Sequence, residues 1–389
     1  MYNFKINIDP NEHDEFIKKN NGNLLQSSSW GKIKDNWENI ICGVYENDEL
    51  VASSLILIKK LMGFKVFYIP KGPIINFENK ILVSFYFNKL KEYAKKENCI
   101  FIKFDPEIYD ELIHNDNKEL FDNQELIENL KNNNCFYYGK TKYINESTQP
   151  RYCMTIRNKN DLENLPRRTK KSYRSAVKKG VYTKRKDLLG IDEFCNLIEM
   201  TQTRKNVLLR NKEYFLKLIN TYGDNAYLYI TYINLKERTE ELNEQIKLMN
   251  QKEKLTNQEQ NELKNLINEQ KIINDLKCKY RSDVIPISGC LMVGFGQKME
   301  MLYAGMNNEF RSFYPQYLTY LTMFEQAFND GYKHISMGGV EGDLKDGLSQ
   351  FKSAFNPWIE VYIGEFDFII KKQYYFMYKL ALKIKKMLK

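Results

Sequence analysis

Short apolar runs and amphipathic segments alternate along the first third of the chain. Residues 40–60 have the pattern of two strands that turn at Asn47-Asp48. Residues 83–99 have the apolar period of a helix, and residues 100–106 form the unbroken apolar run of a buried strand. Strands and helices in this order predict mixed α/β layering.

A similar order of elements returns after residue 150. The apolar periodicity of this part predicts helices over 192–205, 212–220 and 315–330 and strands at 226–233, around 284–304 and at 334–339. Because the order recurs, we expect two related α/β domains rather than one large sheet.

Residues 234–279 differ from both halves in composition. They contain no Gly or Pro, and a thin apolar stripe recurs every seven residues at Leu235, Leu242 and Met249. The stripe resumes after Thr256, where the sequence TNQE has the form of a helix capping box. The pattern predicts an inserted antiparallel helical hairpin, a coiled coil, with a disordered polar linker as the alternative.

These patterns divide the chain into three parts. The first domain is expected over residues 1–150 and the second over 151–233 and 280–367, with the hairpin at 234–279. Residues from about 368 to 389 have the pattern of a basic helix with aromatic and aliphatic side chains. We expect that helix to pack back on the first domain, with peripheral contact with the inner membrane leaflet as the alternative.

The composition is that of an ordinary globular protein. The chain has 389 residues, of which 43% are hydrophobic and 28% are charged. Its seven cysteines form no CxxC pair, and its three histidines lie far apart, so we expect no metal site. A cytoplasmic location is the simplest expectation, because an odd number of cysteines argues against a complete set of disulfides and no apolar run is long enough to cross a bilayer.

Positive charge is concentrated in one window of the sequence. Residues 166–186 carry ten Lys or Arg and no acidic residue. Removing these ten charges from the net charge of +9 leaves the rest of the chain at −1. Such a concentration favours a polyanionic partner, and RNA is the candidate. The alternative is a solvated helix over about 168–179, ended by Gly180, whose lysines only maintain solubility.

Motifs for nucleotide-driven, hydride-transfer and metal-dependent chemistry are absent from the sequence. It has no GxxxxGK[ST] phosphate loop, no GxGxxG between a strand and a helix, no GxSxG and no HExxH. We therefore expect no cofactor. An enzyme with this sequence is expected to act on an already activated substrate by binding and electrostatics.

Seven further stretches serve as landmarks along nearly the whole chain. In order they are QSSSWGKIK (26–34), YIPKGP (68–73), FIKFDP (101–106), TRKNVLLRNKEYF (203–215), MLYAGMNNEFRSFYPQYLTY (301–320), GYKHISMGGVEG (331–342) and GLSQFKSAFNPWIEVYIGEFD (347–367). Each stretch alone is weakly specific. As an ordered set with an inserted helical hairpin, they resemble the FemABX family of peptidoglycan-bridge aminoacyltransferases.

This resemblance implies two domains of acetyltransferase-like (GNAT-type) α/β fold, without the loop that binds coenzyme A. It also implies transfer of glycine, alanine, serine or threonine from aminoacyl-tRNA to the side-chain amine of a stem peptide. The acceptor would be lipid II or UDP-MurNAc-pentapeptide. The basic window and the hairpin would contact tRNA, and the candidate residues are Arg167, Arg168, Lys170, Lys171, Arg174, Lys178 and Lys179.

Four residues match positions at which the family binds the precursor. Lys34 is similar to a lysine that contacts the precursor's phosphates, and Tyr303 matches a precursor-binding tyrosine. Arg210 and Tyr214 are four residues apart. That spacing puts a guanidinium and a phenol on one face of a helix, where they would clamp an anionic group.

The resemblance also implies three residues at the reacting end of the substrate. Asp105 falls at the family's cleft aspartate and would accept or relay a proton. Phe351 and Lys352 match a pair beside the tRNA acceptor end, where Phe351 would pack against the terminal adenosine. Lys352 would stabilise an oxyanion or an adjoining tRNA phosphate from an apolar wall. On sequence alone, Lys352 can instead be a lysine whose ammonium snorkels to water.

Two other classes of function stay open at this point. One is a non-catalytic RNA-binding or scaffold protein that uses the basic window and the hairpin. The other is a coenzyme A-dependent acyltransferase, which is disfavoured because the sequence shows no Q/RxxGxG/A turn. The sequence leaves open which amino acid is transferred, whether the acceptor is lipid-linked, and the oligomeric state.

Overall fold

The computed structural model describes residues 1–34, 36–61, 63–205 and 210–387, and it has a mixed α/β architecture. Over these residues the strands are β1 Tyr2–Ile6, β2 Glu38–Glu46, β3 Glu49–Leu61, β4 Phe64–Ile69, β5 Ile74–Ile75, β6 Cys99–Phe104, β7 Tyr109–His114, β8 Asn117–Leu120, β9 Cys135–Tyr137, β10 Tyr152–Ile156, β11 Val181–Arg185, β12 Ala226–Asn234, β13 Val284–Phe295, β14 Lys298–Met306, β15 His334–Gly339, β16 Trp358–Tyr362 and β17 Phe366–Ile369.

Helices separate and cover these strands. They are α1 Pro10–Lys19, α2 Ser28–Ile33, α3 Lys80–Lys96, α4 Gln124–Asn132, α5 Lys159–Glu163, α6 Arg167–Lys178, α7 Ile191–Lys205, α8 Lys212–Tyr222, α9 Leu235–Asn250, α10 Asn257–Lys279, α11 Pro315–Asn329, α12 Gly347–Ser353 and α13 Lys372–Met387. Short 3-10 turns occur at Leu24–Gln26, Ile144–Glu146, Asp187–Gly190, Gly223–Asn225 and Asn308–Phe313.

The first sheet has eight strands in the order β1-β2-β3-β4-β6-β17-β9, with β5 paired to β3. Strands β4 and β6 run parallel, with Ile69 opposite Phe104 at their carboxyl ends, and the other pairs are antiparallel. The predicted turn between β2 and β3 is confirmed, because Asn47 and Asp48 have the positive φ values, 48° and 65°, of a two-residue hairpin.

The second sheet has nine strands in the order β11-β12-β13-β14-β15-β10-β16-β7-β8. It repeats the feature of the first sheet, because one pair, β14 and β15, is parallel within an otherwise antiparallel set. The parallel pairing extends only from Lys298 and His334 to Glu300 and Ser336. Beyond that point the two strands no longer pair, so each sheet contains a place where a parallel pair ends.

The two sheets exchange strands across the predicted domain boundaries. Strands β7 and β8, from the first 150 residues, belong to the second sheet, whereas β17, near the C-terminus, belongs to the first. Sheet membership therefore does not follow residue number, and the division at residues 150, 233 and 280 stays a prediction.

The segment 234–279 consists of the helices α9 and α10. The two helices run antiparallel, and Arg238 Nε of α9 lies 2.8 Å from Glu269 Oε1 of α10. Leu242 and Ile273 are buried. Thr256 and Glu259 make the capping box that the sequence predicted. The apolar side chains of the stripe therefore pack between the two helices and against apolar residues of the second sheet.

An apolar core is shared by the two halves of the chain. It combines Leu24, Trp30 and Ile33 of the first half with Phe194 and Phe215 of the second. A second and a third core lie within the separate sheets. The shared core means that the halves are packed together rather than linked loosely.

A largely buried ion pair also joins the halves. Lys298 Nζ on β14 lies 3.0 Å from Glu107 Oε2, which follows β6, and both side chains are 16% exposed. Asn23 donates from its amide to Glu107 at 2.7 Å and to Glu300 at 3.1 Å. Although burial opposes the charge of Glu107, Lys298 holds the pKa of that carboxyl below its usual value.

Helix α13 begins at Lys372 rather than near 368, because Phe366–Ile369 forms β17. Its Tyr375 is buried and packs on Phe101 of β6, with ring centroids 5.4 Å apart. None of the helices described in the structure has the length and apolar character needed to span a membrane.

Removing the charge of Glu107 is expected to destabilise the fold, because the largely buried Lys298 would lose its ion-pair partner. We expect Glu107→Gln to lower the free energy of unfolding in urea by about 3 kcal/mol. The matched control is Glu125→Gln, whose partner Lys80 is exposed, and its effect should be near zero. Equal effects of both substitutions would contradict this role of the ion pair.

Candidate active site

A cavity of about 610 Å³ lies where the two halves meet. Its walls include Lys34 and Trp37 from the first half and Arg210 and Tyr214 from the second. Three of the predicted precursor-binding residues therefore line one cavity. Tyr68 is also part of its lining.

Lys34 is positioned by a short helix that is held at its N-terminal end. Ser27 caps α2 by accepting from the Trp30 N–H at 3.2 Å, and its hydroxyl lies 2.9 Å from the Tyr222 hydroxyl of α8. Ser28 donates from its backbone and its hydroxyl to Asp14, each at 2.7 Å. Lys34 is the C-cap residue of this helix. The serines of QSSSWGKIK thus fix the helix that carries the lysine.

Gln26 connects this helix to the loop after β4. Its amide donates to the Pro70 carbonyl at 2.6 Å, and its Oε1 accepts from the Leu55 N–H at 2.9 Å. Its side chain also fills the space in which Gly72 would carry a Cβ, at 2.7 Å. This buried glutamine therefore fixes the YIPKGP loop against α2.

Lys34 and Arg210 form a pair of neighbouring cations. Burial, together with the neighbouring Arg210, lowers the pKa of Lys34 to about 8. Its ammonium lies 4.5 Å from the centre of the Trp30 ring. Among the described residues, the causes of the pKa shift of Lys34 include no carboxylate, although Glu213 also lines the cavity. Two such cations in one cavity favour an anionic ligand.

The structure corrects one detail of the prediction for Arg210 and Tyr214. They do not share a helix face, because α8 begins at Lys212 with Asn211 as its N-cap, so Arg210 precedes the helix. The guanidinium nevertheless lies 5.1 Å from the centre of the Tyr214 ring. The two side chains are therefore adjacent, although Arg210 lies before the helix that carries Tyr214.

Tyr303 extends this cluster from β14. Its hydroxyl donates to the Tyr214 hydroxyl at 3.3 Å, and its ring packs on Phe215 with centroids 5.0 Å apart. Tyr303 thus touches the cavity lining through Tyr214 without belonging to that lining itself.

Asp105 lies at the carboxyl end of the parallel pair β4 and β6. Its Oδ1 accepts from the Lys71 N–H at 3.1 Å, and its Oδ2 lies 3.9 Å from Lys71 Nζ. Lys71 has φ of +53°, a left-handed conformation that turns its side chain back into the protein. There its ammonium lies 4.5 Å from the centre of the Tyr362 ring of the second sheet.

The environment of Asp105 favours its protonated form. Burial raises the pKa of this carboxyl to about 7, and Lys71 limits the rise. Its Oδ2 is buried and has no hydrogen-bond partner among the described residues. Tyr68, which lines the cavity, lies beside this carboxyl. Asp105 therefore has the pKa of a general base but contacts the cavity only through a neighbour.

Lys352 lies beside the second sheet, near the end of its parallel pair. Its Nζ donates to the Gly339 carbonyl at 2.9 Å, and the residue is 6% exposed. Burial lowers the pKa of Lys352 to about 8, although Cys153 and Asp346 oppose this shift. Gly338 has φ of +76°, and a Cβ there would lie 3.8 Å from Lys352 Nζ. The lysine is held inward rather than snorkelling to water.

Phe351 is half-buried in an aromatic cluster. Its ring centroid lies 5.4 Å from that of Tyr317, 5.3 Å from that of Tyr320 and 5.3 Å from that of Phe355. Helix α12, which carries both Phe351 and Lys352, is capped by Asp346. Contact of Phe351 with an adenosine stays a prediction.

The structure brings together some predicted residues and separates others. Lys34, Arg210, Tyr214 and Tyr303 form one cluster at the cavity. Of the other predicted site residues, Asp105, Phe351 and Lys352 do not line this cavity.

Sequence reasoning did not single out four residues of this region: Gln26, Trp37, Tyr68 and Lys71. Gln26 lies in the stretch QSSSWGKIK, and Tyr68 and Lys71 lie in YIPKGP. Their place in these two stretches is the sequence signal that could have identified them. Trp37 carries little signal beyond being one of three tryptophans.

The basic helix α6 carries the predicted RNA contacts. Arg167, Arg168, Lys171 and Arg174 are exposed along it. The remaining three candidates have partners: Lys170 donates to the Glu163 carbonyl, Lys178 pairs with Glu262 of the hairpin, and Lys179 donates to the Ser312 carbonyl. The helix therefore presents five exposed cations, and one of them, Lys178, joins it to the hairpin by an ion pair.

A larger cavity, of about 860 Å³, is lined by residues of both signs of charge, among them Lys19, Lys333, Glu46 and Glu49. Lys298 pairs with Glu107, and both Arg157 and His334 contact Glu360. The smaller cavity, which holds the neighbouring cations Lys34 and Arg210, is our candidate for binding an anionic substrate.

Comparisons with curated proteins match nearly the full length of the chain. The lipid II:glycine glycyltransferase of Staphylococcus aureus strain MRSA252 is 29% identical over 405 residues, which cover 95% of this chain and 94% of that protein. The protein of the same name from Staphylococcus aureus strain bovine RF122 / ET3-1 is 28% identical over 405 residues, with the same coverage of both chains.

Solved structures show the same fold. A crystal structure of FemX matches with a TM-score of 0.78 and 26% identity, covering 96% of this chain and 99% of that chain. A tandem GNAT protein from the clavulanic acid pathway has a TM-score of 0.50 and 8% identity, covering 94% and 98%, which is consistent with a GNAT-like fold. The sequence model of the FemAB family matches residues 8–383, and the chain belongs to the FemAB family.

Proposed function

We propose that this protein transfers an amino acid from aminoacyl-tRNA to the stem-peptide amine of a peptidoglycan precursor. The observation that carries the proposal is the pair of neighbouring cations Lys34 and Arg210, which have no ion-pair partner among the described residues, in a cavity lined by both halves. Relatives named lipid II:glycine glycyltransferase support lipid II as acceptor and glycine as the donor to test first.

In this proposal the cavity holds the anionic part of the acceptor. A precursor diphosphate presents several acceptor oxygens, and the Lys34 ammonium and the Arg210 guanidinium supply donors for them. Tyr214 and Tyr303 present phenol groups beside the cations. The same four side chains would orient the rest of the precursor along the junction of the halves.

The reaction forms an amide bond and breaks an ester bond. The acceptor amine attacks the aminoacyl carbonyl, the C–N bond forms, and the ribose hydroxyl of tRNA leaves with a proton. The tetrahedral intermediate carries an oxyanion, and the Lys352 ammonium is the group we assign to stabilise it. Because only one of its three N–H donors is used by Gly339 in the described structure, donors remain for an oxyanion or a tRNA phosphate.

Asp105 is the group we assign to take the proton from the amine. A carboxyl with a pKa near 7 is a better base at neutral pH than an ordinary aspartate. Since its oxygens are buried, the proton would pass through Tyr68, which lines the cavity next to it. Lys71 holds the carboxylate in place and balances its charge.

The tRNA would lie along α6 and the hairpin. The exposed cations Arg167, Arg168, Lys171 and Arg174 suit a phosphate backbone, which needs charge rather than a shaped pocket. Lys178 and Lys179 support this surface by joining α6 to the hairpin and to residue 312. No observation favours the alternative of a non-catalytic scaffold.

The direct test is transfer of radiolabelled glycine, alanine, serine or threonine from charged tRNA. The acceptors are lipid II and UDP-MurNAc-pentapeptide. We expect transfer by the wild type, and a fall in kcat of about a hundredfold or more in Lys352→Met, because an oxyanion would lose its ammonium partner. Methionine keeps the length of the side chain, so α12 should still pack.

The control for this assay is Lys345→Met, an exposed lysine just before the same helix. It should transfer at the wild-type rate. Full activity of a folded Lys352→Met variant would remove Lys352 from the chemistry. If the wild type transfers none of the four amino acids to either acceptor, the proposed function itself is wrong.

Acceptor binding is expected to weaken above pH 8. Lys34 has a pKa of about 8 in the free protein, so its ammonium is present below that pH and lost as the pH rises through it. The dissociation constant for UDP-MurNAc-pentapeptide, measured by calorimetry, should rise about tenfold between pH 7 and pH 9.5.

The variant Lys34→Arg should flatten this pH dependence, because a guanidinium stays protonated throughout the range. Lys32→Arg, an exposed position on the same helix, should keep the wild-type profile. A wild-type dissociation constant that does not change with pH would show that Lys34 does not hold the anion.

A further inference from the structure

The C-terminal helix α13 has one face that packs on the protein. Tyr375 is buried against Phe101, and Tyr378 packs on the same ring with centroids 5.3 Å apart. Lys379 lies over the Tyr138 ring at 4.5 Å. These contacts fix which side of the helix faces the first sheet.

The opposite face of α13 is apolar and exposed. Phe376 is 57% exposed, Met377 65%, Leu380 59% and Ile384 49%. Since successive residues of a helix are about 100° apart, these four lie about 100° to 200° from Tyr375. A surface helix normally exposes polar side chains to solvent, whereas this face of α13 exposes apolar ones.

Positive charge accompanies this exposed stripe. Residues 372–389 include six lysines and no acidic residue. Of these, Lys372 and Lys383 are exposed beside the stripe. An apolar stripe bordered by lysines, without acids, has the composition of helices that lie in the headgroup region of anionic bilayers.

We propose that the exposed face of α13 binds an anionic lipid surface and holds the enzyme at the bilayer that carries its acceptor. Helix α13 would lie in the membrane plane, with Phe376, Leu380 and Ile384 among the acyl chains. The choice of a lipid surface over a protein partner rests on the proposed function, in which the acceptor is lipid-linked, and on the sign of the charge.

The test is flotation of the full chain with lipid vesicles. We expect binding to vesicles rich in phosphatidylglycerol, weaker binding to phosphatidylcholine alone, and release at high salt. The triple variant Phe376→Ser, Leu380→Ser, Ile384→Ser should bind at least about tenfold more weakly, because its stripe no longer enters the acyl region. Absence of wild-type binding to either vesicle would overturn the proposal.

A matched triple variant on the hairpin serves as the control. Leu248, Ile267 and Ile272 are 56%, 47% and 40% exposed, and their replacement by Ser should leave vesicle binding unchanged. Equal losses in both triple variants would overturn the proposal. So would a wild type that self-associates through α13 in sedimentation, since a second copy would then cover the stripe.

Activity measurements separate this inference from the proposed function. The α13 triple variant should transfer an amino acid to soluble UDP-MurNAc-pentapeptide at the wild-type rate if that acceptor is used. It should lose transfer to lipid II in vesicles but recover it with lipid II in detergent micelles. Equal transfer by both proteins to vesicle-borne lipid II would overturn the inference and leave the proposed function intact.

Discussion

The packing of the two halves against each other is the constraint on which the candidate site depends. Lys34 comes from the first half and Arg210 from the second, so their cavity exists only while the halves keep this arrangement. A shared apolar core and the largely buried pair Glu107–Lys298 maintain it. A buried pair adds little net stability, but losing one partner is costly. It therefore acts as a restraint on geometry more than as a source of stability.

In each sheet, a buried ionisable residue lies near the end of the parallel strand pair: Asp105 in the first sheet and Lys352 in the second. Asp105 and Lys71 follow β6 and β4, and Lys352 contacts the backbone at the end of β15. Where paired strands end or separate, backbone groups and side chains become available to a ligand. The repeated architecture thus offers two adjacent places for polar groups, one for each reactant in the proposed reaction.

Local features were predictable from the sequence, because they depend on neighbours along the chain. The turn at Asn47 and Asp48, the capping box at Thr256 and most helices and strands follow from short-range patterns. Contacts between distant residues were not predictable in this way. Lys71 meets Asp105 and Tyr362 only after both sheets have formed, and the exchange of β7, β8 and β17 between sheets leaves no local signal. The resemblance to a family identified Lys34 and Lys352, which periodicity alone did not distinguish from surface lysines.

The central claim is that two cations from different halves hold one anionic group of the acceptor. A double-mutant cycle tests it most directly, with dissociation constants for UDP-MurNAc-pentapeptide measured for the wild type, Lys34→Ala, Arg210→Ala and the double variant. The account predicts that the double variant loses less binding free energy than the sum of the single losses, by about 1 kcal/mol. Losses that add to within about 0.3–0.5 kcal/mol would contradict it, because the two cations would then act on separate groups.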